Sequence, residues 1–521
     1  MTNNELEFFK NKYNFYKKKN KTKKHILLVD RQRYDATVIN SIIALALNKK
    51  YKMNVILLSD LGKDNFIIKI YNQLGFKKYL KGINYLQFFK YPHIFFYSCL
   101  LTAYGVFKTL NNGFLWFINN YKVDRVPFGD LIYDTNVRFD HRYLKPKVDF
   151  RFIKLLIIST FRIMLISKYF KKYNVNKLVT GEENYSFNGG VALRLSIFRK
   201  IPNFVPGRTS DKEFEIQTYD KQKLYLGKDN IRVKNIYKKF LRFKPNINDI
   251  NKFYNLRQNK LNQKFFWTQK NFTKANTVSK SGLNFIKKLS KIKKKKILYA
   301  SHGFSDAVHQ KGLSYAFKDY YDQLISTLKF IFKNDKDNIW IFRAHPSSKI
   351  YGEQSIFLKV INKYKSKNIM ICPKNVPIKK LYNICDIVVT GSGSVGLEFI
   401  CEGKQAILAG SSGYSNKEIT PFFASSQKEY FSFLKNINLI KNPTIKQINL
   451  AKKALYFFES GKFISKKITA KNWVKDKIFK SFFINFFGMG MKYNDYIKLI
   501  HNMLIKDIFK SKVFNEIKKL V

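Results

Sequence analysis

The chain has 521 residues, with 97 Lys and Arg against 35 Asp and Glu, a formal net charge of +62. Hydrophobic residues make up 45% and aromatic residues 17%, which excludes a wholly disordered chain, because disorder goes with low hydrophobicity. Four cysteines, Cys99, Cys372, Cys385 and Cys401, none at CxxC spacing, exclude a disulfide scaffold and argue against a cysteine zinc site.

Free thiols suit a reducing cytoplasm. At ~150 residues per domain the length suggests two large domains or three smaller ones. Arg supplies only 14 of the 97 basic residues. Lys, Asn, Ile, Phe and Tyr are abundant together, the amino-acid usage of an A+T-rich genome, so part of the charge reads as compositional drift. A surface so basic still attracts anions: nucleic acid, an anionic bilayer or a phosphorylated substrate. No zinc-finger spacing, RNP signature or basic zipper is present, which leaves a specific nucleic-acid partner least supported.

In chain order, residues 1–24 are a polar, Lys-rich extension without the apolar core of a signal peptide. Residues 26–30 read as a buried parallel strand, 37–47 as a helix and 55–58 as a second strand, which together make a βαβ unit. A long aromatic, helical insertion follows over about 64–170. Within it, 91–107 is uncharged but falls short of a span of ~20 residues and contains Pro92, His93 and Ser98. Residues 152–170 are apolar but carry Lys154, Arg162 and Lys168. Both read as buried or interfacial helices. Residues 177–180 return as a strand, with Gly181, Glu182, Glu183 and Asn184 in the loop at its C-terminal end.

A first Rossmann-like domain therefore covers 25–285, and the Lys run at 286–296 reads as a basic linker. The second domain, 297–449, alternates strands at 297–300, 339–342, 369–372, 387–390 and 406–408 with helices between them, a doubly wound parallel sheet. The tail, 450–521, reads as helical and basic. Its Phe482, Phe483, Phe486 and Phe487 suit either a packing face or a membrane-surface face.

The loop Gly391-Ser392-Gly393-Ser394 stands between a strand and a helix. Small residues let backbone approach an anion, and a helix N-terminus offers N–H groups and a positive dipole end. Ser394 suits a helix N-cap equally well. The loop is neither a Walker A motif nor a dinucleotide fingerprint. Glu398, one turn on, suits either two ribose hydroxyls or the helix dipole. His345, between Arg343 and Pro346 at another strand end, suits a phosphate contact or proton donation to a leaving oxygen. His302 and His309 flank Gly303, Phe304, Ser305 and Asp306, without the further ligands a metal would need. Acidic candidates in the first half are Asp30, Asp130, Asp134, Glu182 and Glu183; each alone is more simply a partner for Lys.

The stretch from Arg343-Ala344-His345-Pro346 through Thr390 to Glu398, then 403–407 and Tyr414, resembles the capsule polysaccharide biosynthesis glycosyltransferases. These are GT-B enzymes related to transferases of 3-deoxy-manno-octulosonic acid (Kdo), and the His-Pro and serine motifs are also similar to those of GT-B sialyltransferases. The resemblance covers about 120 residues of the second half. It implies a GT-B fold, two Rossmann-like domains facing a cleft, and metal-independent transfer from a nucleotide sugar, possibly CMP-activated, to a surface polysaccharide or lipid-linked glycan. It implies that His345 assists nucleotide departure, that Ser392 and Ser394 hold the donor phosphate and that Glu398 binds ribose. Gly303, Arg343, Gly391 and Gly393 complete the expected donor site, with Glu182, Glu183 or Asp134 as the base. No cofactor or metal is implied beyond the donor itself. The expected setting is cytoplasmic, against the inner membrane face. The alternatives are a CDP-glycerol glycerophosphotransferase of the same fold and a non-catalytic basic scaffold for membrane or nucleic acid.

Overall fold

The computed structural model describes residues 23–30, 34–206 and 280–459 apart from short stretches, 213–218, 240–260, 467–469 and a few positions within 515–521. The chain divides into two compact units: Met1–Tyr133, Lys147–Leu224 and Ile464–Val521 form one, and Asp134–Pro146 with Tyr225–Phe463 the other.

In the first unit, β1 (His25–Val29), β2 (Asn54–Ser59), β3 (Lys78–Lys81), β6 (Val175–Val179) and β7 (Asn203–Pro206) pair in parallel in the order β7-β6-β1-β2-β3. A two-strand hairpin, β4 (Lys122–Val123) and β5 (Val126–Pro127), stands apart, and β8 (Glu213–Gln217) joins β7 antiparallel. Ile26, Leu27 and Leu28 are wholly buried, as a run without polar alternation requires when both sheet faces are covered. Each such side chain stabilises the fold by about 1.5–3 kcal/mol. The helices are α1 (Tyr34–Tyr51), α2 (Pro92–Asn120), α3 (Gly129–Arg138), whose residues from Asp134 onward belong to the second unit, α4 (Phe150–Lys172) and α5 (Asn188–Phe198), with a short helix at Tyr85–Lys90 ahead of α2. Asp149 caps α4 by accepting from the Phe152 N–H. Gly113, at φ 75°, interrupts α2. The insertion therefore carries β3 and the hairpin as well as the expected helices. Among the described residues no helix is long and apolar enough to cross a membrane.

The second unit holds a six-stranded, wholly parallel sheet of β9 (Lys296–Ala300), β10 (Ile339–Arg343), β11 (Ile369–Ile371), β12 (Ile387–Thr390), β13 (Gln405–Leu408) and β14 (Phe422–Phe423), in the order β11-β10-β9-β12-β13-β14. Counted within the unit this is 3-2-1-4-5-6, the Rossmann order. Five of these strands are those expected; β14, only two residues long, is too short to read from hydropathy. The helices are α6 (Ile247–Lys260), α7 (Lys280–Ser290), α8 (Tyr320–Asn334), α9 (Gln354–Lys363), α10 (Ile378–Tyr382), α11 (Ser394–Cys401) and α12 (Ile445–Glu459), with a further helix at Gln427–Lys435 between the last two. α8 starts at Tyr320 because Asp319 caps it, accepting from the Asp322 N–H.

The Lys run at 286–296 is not a linker: it belongs to the end of α7 and the start of β9, inside the second unit. Leu289 within it is wholly buried, and the Lys295 ammonium donates to the carbonyl of Ile437 at 2.9 Å. Of the tail, α12 packs against α11 and α6, and Lys467–Thr469 (β15) pairs antiparallel with β8 at the edge of the first sheet. Phe482, Phe483, Phe486 and Phe487 lie outside the described residues. The α/β class with two Rossmann-like domains is thus as the sequence predicts.

Candidate active site

The strand order of the second sheet has one reversal point. From β9 the chain proceeds outward to β10 on one side and later adds β12 on the other. In an open parallel sheet a crevice opens at such a reversal, outside the carboxyl ends of the strands. His302 follows β9, His345 follows β10, and residues 391–394 follow β12.

His302 organises this edge. Its ring stacks on Tyr320, the first residue of α8, with centroids 4.3 Å apart and planes 12° apart. The His345 ring lies parallel to it at 6.1 Å. His302 Nε2 accepts from the Ser392 backbone N–H at 3.3 Å, which assigns its proton to Nδ1 when neutral. Burial, and then the neighbouring His345, push its pKa from 6.5 down to about 3. His345 Nδ1 accepts from the Ser347 N–H at 3.2 Å, which assigns its proton to Nε2. Burial lowers its pKa as well, against an opposing pull from Glu353. Both imidazoles are therefore neutral at pH 7, and His345 carries an Nε2–H donor.

The glycines of the 391–394 loop have a packing explanation. A Cβ on Gly391 would stand 2.7 Å from the Tyr320 ring and 3.0 Å from His302 Cδ2, and one on Gly393 would stand 3.0 Å from His302 Nε2. Gly396 is held as closely, with Leu408 at 2.8 Å and the Tyr414 hydroxyl at 2.9 Å from its would-be Cβ. The Tyr414 hydroxyl donates to the Gly393 carbonyl. Gly393 is the N-cap of α11 and has no side chain to cap with, so the positive end of that helix meets the loop without a side-chain oxygen. Ser392 Oγ lies 3.5 Å from the Tyr320 hydroxyl. Ser394 Oγ donates to Glu398 Oε1 at 3.1 Å, and the Tyr382 hydroxyl donates to Glu398 Oε2. Ser394 is thus the first residue of α11 rather than its cap, and buried Glu398 holds it in place.

Gly303 begins a turn in which the N–H groups of Phe304 and Ser305 donate to Glu353 Oε2 and Oε1 at 2.9 and 2.8 Å. Arg343 Nη1 donates to the Val376 carbonyl at 2.6 Å, which ties the end of β10 to the segment after β11. Asp134 is buried against His309: the His309 N–H donates to Oδ2 at 3.0 Å, and Nδ1 lies 2.8 Å from Oδ1. The Tyr320 hydroxyl has its pKa raised first by burial and then, less strongly, by Asp306 and Asp134. Arg138 Nη1 approaches the Ser305 carbonyl at 3.4 Å and Asp306 at 3.9 Å. Glu182 and Glu183 lie outside the described residues.

The structure thus brings together His302, His345, Gly391, Ser392, Gly393, Ser394 and Glu398, and it pairs Asp134 with His309. Sequence reasoning missed Tyr320, Glu353 and the role of His309. Glu353 carries no local signal beyond being one of 35 acids in a basic chain. Among the described residues no three His, Cys, Asp or Glu side chains group as a metal site would require.

No protein-family model matches the chain, and no curated protein does. Solved structures do resemble it. A glycosyltransferase from Rickettsia africae is 13% identical, with 93% of this chain and all of that one covered and a TM-score of 0.24. A KpsC β-Kdo 2,7 transferase from Thermosulfurimonas dismutans is 12% identical, over 56% of this chain and 80% of that one, with a TM-score of 0.29. A UDP-GlcNAc 2-epimerase from Methanocaldococcus jannaschii is 13% identical, over 84% and 99%, with a TM-score of 0.24. At such scores the likeness carries no argument about activity. The reading of the site rests on the sheet order and on the side chains gathered at its edge.

Proposed function

We propose that this chain is a metal-independent glycosyltransferase that moves a sugar from a nucleotide-sugar donor to a surface polysaccharide or lipid-linked glycan. The observation that carries this reading is the gathering of His302, His345 and the 391–394 loop at the reversal point of a 3-2-1-4-5-6 sheet. The positive end of α11 and the hydroxyl of Ser392 suit a donor phosphate. The Nε2–H of His345 suits the oxygen on which charge develops as the nucleotide departs; such donors act most strongly where water is excluded. The C–O bond between sugar and phosphate breaks, the acceptor oxygen bonds to the sugar, and the acceptor proton passes to a base.

For that base we favour the Asp134–His309 pair. With both carboxylate oxygens facing His309, Asp134 suits the task of orienting the imidazole and stabilising its protonated form, and Nε2 then bears the basic lone pair. Gly303 and Arg343 shape the edge rather than contact phosphate in this reading. The basic surface favours an acceptor held at the inner face of the cytoplasmic membrane.

The test is nucleotide release by the full chain from CMP-Kdo, CMP-sialic acid, UDP-hexoses, GDP-hexoses and CDP-glycerol, with and without a lipid-linked glycan extract. Selective release that persists in EDTA and is lost in Ser392→Ala/Ser394→Ala is the expected result. Phosphorus added to the acceptor would move the reading to a glycerophosphotransferase. No release from any donor, with nucleotide binding unchanged in the variants, would overturn the site.

A further inference from the structure

Ahead of the break at Gly113, helix α2 is amphipathic in reverse. Its buried face there is Ile94, Ser98, Thr102, Gly105 and Thr109, mostly small or polar, whereas past the break it buries Phe114, Phe117 and Ile118. Its exposed face carries Phe96, Leu100, Tyr104, Phe107 and Leu110, each more than half exposed. At ~100° per residue the two sets centre on opposite sides of the helix, so this is an ordered arrangement and not a scatter of exposed side chains. A water-facing helix buries its apolar stripe; here the stripe points outward.

The inner face packs as helices pack in an apolar solvent, through small residues that let the helix backbone come close. A Cβ on Gly105 would stand 2.6 Å from the Tyr121 ring and 3.3 Å from Leu156 of α4. The hydroxyls of Ser98 and Thr109 are satisfied within the helix, donating to the carbonyls of Ile94 and Gly105 at 2.7 and 2.6 Å. The short helix Tyr85–Lys90, just before α2, exposes Leu86 and Phe89, the latter at 83%. An apolar patch of this extent marks an interaction surface.

Charge selects the occupant. From 85 to 123 the sequence has no Asp or Glu, while it has Lys90, Lys108 and Lys122. The partner helix α4 has no acid and six cations, Arg151, Lys154, Arg162, Lys168, Lys171 and Lys172. A second copy would bring the same basic surface against this one, each chain bearing a net +62, and like charges so placed repel. An anionic bilayer offers apolar depth with negative headgroups around it. Tyr97 and Tyr104 suit the boundary between the two.

We propose that the outward face of α2 seats the chain on an anionic lipid surface, lying in the interface with its axis along the membrane and its aromatic and Leu side chains among the acyl chains. The proposal gives a place to the membrane setting of the function proposed above. It is tested without nucleotide or acceptor, so that either reading can fail alone. Full-length protein is floated with vesicles of phosphatidylcholine, with or without phosphatidylglycerol. The test variant is Phe96→Ser/Leu100→Ser/Phe107→Ser; the control is Leu439→Ser/Ile445→Ser, which alters two side chains exposed at 77 and 78% in the other unit. Wild type and control should float with the anionic vesicles, and the triple variant should partition at least about tenfold less while keeping the wild-type melting curve. Flotation of the triple variant equal to wild type would overturn the proposal by assigning binding to charge elsewhere. So would a wild-type chain that ignores both vesicles, including one whose dimer in sedimentation equilibrium is lost in the triple variant, which would give the face to a second copy.

Discussion

The carboxyl edges of the two sheets share a topology and differ in chemistry. At the first sheet, β1 ends in Asp30, whose oxygens accept from Ser59 Oγ at 2.7 Å and from the Tyr71 hydroxyl at 3.3 Å. β2 ends near Asp60, which accepts from the Ile83 N–H at 2.7 Å and lies 3.7 Å from Arg162. Asp130, also of the first unit, is held by both terminal nitrogens of buried Arg194, at 3.0 and 2.9 Å. These carboxylates are bound into local polar contacts, as buried charges must be. At the second sheet the same positions carry two neutral imidazoles, a hydroxyl and a helix N-terminus. Strand order sets where a crevice forms; the side chains at the strand ends decide whether it can do chemistry.

Substitution can test that contrast. The largest expected effect is at the second edge: His345→Ala should lower the rate of nucleotide release by about 10²–10⁴ with circular dichroism unchanged, because one positioned proton donor is lost. At the first unit, Arg194→Ala should leave Asp130 buried and unpaired and cost about 3–5 kcal/mol in urea unfolding, while activity per folded molecule stays at the wild-type level. If Arg194→Ala instead lowers turnover in the folded fraction, the division into a structural and a chemical edge fails. Asp134→Asn should lower turnover about a hundredfold and shift the pH profile of the rate, whereas a merely structural carboxylate would change stability without moving that profile.

The smallest effect concerns pH. His302 takes up a proton below 6.5 when unfolded but resists it down to about 3 when folded. The unfolded chain therefore binds more protons across that window, and stability falls as pH drops through it. The urea midpoint should decline from pH 7 to pH 5, and His302→Gln should flatten that decline.

Much of this was legible before folding. The strands that deliver the site are continuous apolar runs ending in His, Gly or Ser, and both period and punctuation are local signals. What stayed hidden was pairing at a distance. Asp134 and His309 are 175 positions apart, and nothing in either segment names the other. Glu353 reaches back to the turn after β9 from just ahead of α9, a contact only the tertiary fold creates. The 391–394 glycines were visible, but the sequence suggested room for an anion where the structure shows the rings of His302 and Tyr320. The Lys run at 286–296 looks solvated from its charge alone, while Lys295 in fact satisfies a carbonyl of the second unit. The stretch 91–107 reads from sequence as an uncharged, buried or interfacial helix, and its outward apolar face shows only once α4 takes the small-residue side.

The strand β15 gives the fold an order in time. It pairs with β8, yet the ribosome makes it only after the whole of the second unit has been synthesised. At about 5–20 residues per second the interval is on the order of tens of seconds. Through that interval β8 is a nascent sheet edge without its final partner, with hydrogen-bonding groups open to any strand that arrives first. The outer edge of the first sheet is therefore the last part of it that can close, because its final partner comes from the C-terminal segment.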